Sequence, residues 1–150
     1  SRFCFARKMT LASTYWIGMI FKTPPSLDDI ATLAQQSWDA MPAAFRRLAA
    51  GIMFRVEDFA DEETQAELGI EDPSELSGLY HGVDLTQQSI ADPAPTVPIV
   101  FLYRRALLDE WIERGDISLA DLVAHVLAHE VGHHFGLSDE QMDAVLEREA

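Results

Sequence analysis

Hydrophobic residues recur every three or four positions from Leu27 to Met41, at Leu27, Ile30, Leu33, Ala34, Trp38 and Met41, which is the spacing of one helix face. Ser26 follows Pro24 and Pro25 and suits an N-cap. Asp28 and Asp29 put negative charge in the first turn, where the helix dipole favours it. Pro42 breaks the run and starts a second short helix through Ala50. The period then changes: Ile52, Phe54 and Val56 alternate with Met53, Arg55 and Glu57, the two-residue rhythm of a strand. A short helix is expected over 61–68, ended by Gly69. A second strand is expected over 78–85, followed by a proline-rich loop over 91–98.

Val97 to Tyr103 is the most β-rich run of the chain, and Arg104 to Arg114 reads as a helix stopped by Gly115. Asp116 or Ser118 can cap the next helix, whose core stripe is Ala124, Leu127, Ala128, Val131 and Phe135. Helical spacing returns over 140–149 at Met142, Val145 and Leu146. No internal repeat or low-complexity tract interrupts this order, which predicts an α+β domain with a small mixed sheet. The domain is assigned to 26–150. Residues 1–25 read as an N-terminal extension outside its core, because the apolar run from Met9 to Phe21 is too short to span a bilayer and no small-x-small cleavage site follows it.

Chemistry concentrates on the last predicted core helix. Four of the chain's five histidines lie between His125 and His134, and His129, Glu130 and His133 form the pattern H-E-x-x-H. On a helix, His129 and His133 are about 40° apart around the axis and one turn apart along it, so both imidazoles can reach one ion. Glu130 projects about 100° from His129, beside that face, where a carboxylate can act as a general base without ligating. Asp139 would sit about 9 Å beyond His133 on an unbroken helix, too far to share the ion. Gly136 stands where the chain has to turn back, since glycine takes positive φ at little cost. His129, His133 and Asp139 then leave a fourth position open for water, the arrangement of a catalytic zinc. His134 points about 100° from His133 and reads as a surface or supporting residue. His81 reads as an exposed strand histidine, and Tyr80 and Tyr103 are oxyanion-stabiliser candidates by residue type alone.

The run H-E-V-G-H-H-F-G-L-S-D, with His125 one turn ahead of it, resembles a family of small bacterial zincin-like metallopeptidases, a minimal form of the metzincin signature. It departs from metzincins at Asp139, where they usually carry a third histidine, and in having Met142 as the one methionine after it. The resemblance implies a minimal zincin-like domain, one zinc ion per chain, a peptide or protein substrate, His125 as a residue lining the site, and an edge strand near 78–85 that receives extended substrate. The reading is therefore a zinc-dependent peptidase in which Glu130 is the base for a metal-activated water. The alternative is a metal-binding interaction module without turnover, which the small size favours and Glu130 opposes.

Charge changes the picture of partners. With 25 acidic against 11 basic residues the net charge is −14, which repels nucleic acid and anionic membranes and favours cationic or neutral substrates. This also weakens a zinc endoribonuclease reading, whose three-histidine spacing is missing. The single cysteine, Cys4, allows no internal disulfide, and a cytoplasmic location is expected.

Overall fold

The computed structural model describes residues 23–83, 97–141 and 144. The Met9–Phe21 segment, the end of the second predicted strand, most of the proline-rich loop, Met142 and most of 140–149 lie outside the described residues.

Helix α1 spans Leu27–Ala40 and opens on a capping box: the Ser26 hydroxyl accepts from the Asp29 N–H, and the Asp29 carboxylate accepts from the Ser26 N–H. Helix α2 is Ala43–Leu48, and strand β1 is Met53–Glu57. Helix α3, Glu62–Leu68, is capped by Asp61 and ended by Gly69 in the left-handed conformation. A 3-10 turn at Pro73–Glu75, not anticipated from the pattern, leads into strand β2, Gly78–His81. Strand β3 is Ile99–Tyr103, helix α4 is Arg104–Arg114, and helix α5 is Leu119–His134. This is an α+β domain with a three-stranded mixed sheet of order β1-β3-β2. β3 runs parallel to β1 and antiparallel to β2.

The central position of β3 explains why its sequence is apolar throughout. Val100 and Leu102 face the main core with α1 and α5, while Phe101 and Tyr103 face a second cluster with Leu79, Ala60 and Ala106. A strand covered on both faces has no polar side to alternate with. The second strand is shorter than the predicted 78–85: it ends at His81, where Gly82 takes φ 157°. His81 is exposed, as expected.

Helix α5 is buried well beyond the predicted core stripe. Leu122, Val123 and Val126 join Leu127 and Val131 in the core, and His125, His129 and His134 are buried as well. α1 and α4 pack against α5, and β2 and β3 also contact it, so little of its circumference meets solvent. Among the described residues no helix is long and apolar enough to cross a membrane.

Candidate metal centre

Three local devices set the geometry of the centre. First, Ser118 caps α5 by accepting from the Asp121 N–H, which starts the helix at Leu119, ahead of His125. Second, α5 ends in a Schellman turn: the Leu137 N–H donates to the Gly132 carbonyl, the Gly136 N–H donates to the His133 carbonyl, and Gly136 has φ 75°. Third, helical conformation resumes at 139–141 behind a second capping box, in which the Ser138 N–H donates to Gln141 Oε1 and the Gln141 N–H donates to the Ser138 hydroxyl. The S-x-x-Q spacing of Ser138 and Gln141 is the sequence signal of this box.

Together these devices bring Asp139 back over the helix it follows. Asp139 Oδ1 lies 3.0 Å from Nε2 of His129 and 3.2 Å from Nε2 of His133. One donor atom from each of His129, Glu130 and His133 also lies within 4.8 Å of the others. His133 Nδ1 is 3.2 Å from the Leu137 carbonyl, which can only accept, so Nδ1 carries the proton there. A neutral His133 consequently turns its Nε2 lone pair toward Asp139 Oδ1. Two acceptors at that distance repel unless a proton or a metal cation lies between them, and two imidazole nitrogens with one carboxylate oxygen suit zinc. The donor set thus fits the ion.

Glu130 approaches the same point from under the sheet. Tyr103 N–H donates to the Ser77 carbonyl, so by antiparallel alternation Leu79 and His81 face β3, while the backbone groups of Gly78 and Tyr80 point outward along the free edge. The Tyr80 N–H points from this edge at the Glu130 carboxylate and lowers its proton affinity. Burial pushes the Glu130 carboxyl up to about 7, and the Asp139 charge adds to this while the Tyr80 N–H opposes it. A divalent cation at the neighbouring donors would pull it down again.

This closeness depends on Gly78. A Cβ there would stand 2.6 Å from Val126 Cγ1 and 3.2 Å from Glu130 Cγ, so only glycine lets β2 lie directly on α5. Beyond it opens a groove of about 1490 Å³ lined by both arms of the centre, β2, the 3-10 turn and α4.

The remaining candidates separate clearly. His125 is buried and lines the groove one turn before His129. Tyr80 and Gly136 line it too. His134 is buried rather than at the surface, and its Nδ1 lies 2.7 Å from the Tyr80 hydroxyl. Tyr103 is buried on the far face of β3, where burial, aided by the charges of Glu57, Asp61 and Glu130, pushes its phenol up to about 12. It does not line the groove, which removes it as an oxyanion stabiliser. The contribution of Tyr80 through its backbone was not legible in the sequence, because it depends on strand pairing.

A comparison with curated proteins gives no significant match. A family model described as "Zincin-like metallopeptidase" matches residues 49–148.

Proposed function

Since the chain belongs to the zincin-like metallopeptidase family, we propose that it is a zinc-dependent peptidase in which His129, His133 and Asp139 hold one zinc ion and Glu130 serves as general base. The observation that carries this reading is the convergence of Asp139 Oδ1 with both Nε2 atoms beside a buried carboxylate. Zinc bound there supplies Lewis acidity, acidifying a water and polarising a carbonyl.

The residues of the chain do the rest. Glu130 is held by the Tyr80 N–H at one side and faces the donor cluster on the other, so its carboxylate can accept a proton at a fixed place. Once it holds that proton, the same carboxyl can return it to a leaving amine. The outward backbone groups of Gly78 and Tyr80 offer an extended peptide a partial ladder beside the centre. Asp72, Glu75, Asp109 and Glu113 line the groove, which favours peptides carrying Lys or Arg.

Metal analysis of the purified protein, followed by digestion of a mixed peptide library with the zinc-loaded form, tests the reading. Zinc near one per chain with cleavage that a chelator abolishes is expected. Zinc bound with no cleavage in any peptide would favour an interaction module instead.

A further inference from the structure

We propose that Tyr80 and His134 form a positioning pair that clamps the free edge of β2 onto α5 and so holds the Tyr80 backbone N–H on the Glu130 carboxylate. The inference goes beyond the assignment of Glu130 as a base, because it concerns what keeps that side chain in place.

The two residues are 54 positions apart, and their contact is close: the Tyr80 hydroxyl oxygen is 2.7 Å from His134 Nδ1. The same oxygen is 3.2 Å from the Val83 carbonyl. A hydroxyl has one proton, so if it donates to Val83, His134 Nδ1–H donates to the hydroxyl; otherwise the hydroxyl donates to Nδ1. In the first case one ring ties strand, turn and helix; in the second it ties strand to helix alone. The turn is shaped to admit it, since a Cβ on Gly82 would stand 2.8 Å from the Tyr80 hydroxyl. His134 in turn is wedged edge-on against Phe135, whose ring meets Phe45 of α2 with centroids 5.0 Å apart.

An edge strand needs such a clamp. On its outer side β2 has no neighbouring strand, and an outward N–H at a sheet edge is ordinarily satisfied by water. Here the N–H of Tyr80 is turned to a buried carboxylate instead, and the side chain of the same residue is tied to the last turn of the helix that carries Glu130. Gly78 lets the strand approach; the Tyr80–His134 contact prevents it from lifting away.

Hydrogen exchange at the Tyr80 amide tests the pair in the metal-free full chain, without reliance on catalysis. In the wild type this amide should exchange slowly, although it lies on the outer edge. Tyr80→Phe and His134→Leu should each speed exchange at residue 80 by about fivefold or more, with Val100 and Leu127 unchanged. His134→Gln, which keeps a hydrogen-bonding side chain, should restore much of the protection, and it serves if Tyr80→Phe does not fold. In the zinc-loaded form, Tyr80→Phe should lower kcat with KM little altered. Unchanged exchange at residue 80 in both Tyr80→Phe and His134→Leu overturns the proposal. So does equal acceleration at residues 80, 100 and 127, which would make the pair a general stabilising contact. A wild type that cleaves nothing would defeat the peptidase reading and leave the exchange result standing.

Discussion

Asp139 Oδ1 lies 3.0 Å from Nε2 of His129, a residue ten positions earlier in the chain. A continuous helix would separate those two positions by about 15 Å along its axis. The contact exists because Gly136 reverses the chain and the Ser138–Gln141 box restarts it with Asp139 in the first turn.

The reversal makes Gly136 sensitive to any side chain. Gly136→Ala forces a Cβ into the left-handed region at a cost of about 1 kcal/mol, while Gly136→Asn, which tolerates that region better, should cost less. Urea melts and zinc titrations of both variants check this. Zinc affinity should fall with stability in the alanine variant; an alanine variant that melts and binds like the wild type would show that the turn does not position Asp139.

Removing a donor should remove the ion. His129→Ala or His133→Ala should abolish stoichiometric zinc binding, and Asp139→Ala should weaken it, since each leaves two of the three proposed ligands. The wild type should also gain stability on zinc addition, by about 2.7 kcal/mol at a hundredfold excess over Kd, and the histidine variants should not. Thermal melts with and without zinc supply the comparison. Equal zinc-induced stabilisation in wild type and both histidine variants would place the ion elsewhere.

Glu130→Gln separates the base from the ligands. The amide keeps size and a hydrogen-bond acceptor for the Tyr80 N–H but cannot take up the proton, so zinc content should persist while peptide hydrolysis falls by roughly 10²- to 10⁴-fold. Rates must be compared at equal metal content. A glutamine variant that cleaves as fast as the wild type would remove Glu130 from the role.

The same residue gives the metal-free protein an unusual pH dependence. A glutamate carboxyl ordinarily titrates near 4.5 and the fold pushes this one up to about 7, so between those values the folded state binds more protons than the unfolded one. Stability is therefore full below pH about 4.5, falls as pH rises, and levels off above about 7. The span is about 3 kcal/mol. Asp61 and Asp72 act in a different window. Their pKa values are lowered by hydrogen bonds from Thr64 and Ser74, so their contribution disappears only as pH falls below the ordinary aspartate range. Urea midpoints from pH 4.5 to 8 should decline in the wild type and stay flat in Glu130→Gln. A parallel decline in both would assign the slope to other groups.

Local chemistry along the chain is enough to place most elements and to bring His129, Glu130 and His133 together. The Ser26 cap, the left-handed glycines at Gly69, Gly115 and Gly136, the Ser118 cap and the spacing of His129, Glu130 and His133 all act within a few residues, so their outcome is written in adjacent positions. Tertiary structure decided the surroundings. Whether His134 met solvent or Tyr80, whether Tyr103 faced the groove or the far side of β3, and whether Glu130 was exposed or capped by a strand amide depended on β2 pairing with β3 and lying on α5. Side-chain periodicity predicts which residues share one face of one element. It carries no information on which face of another element will cover them, and that choice set the proton affinity of Glu130.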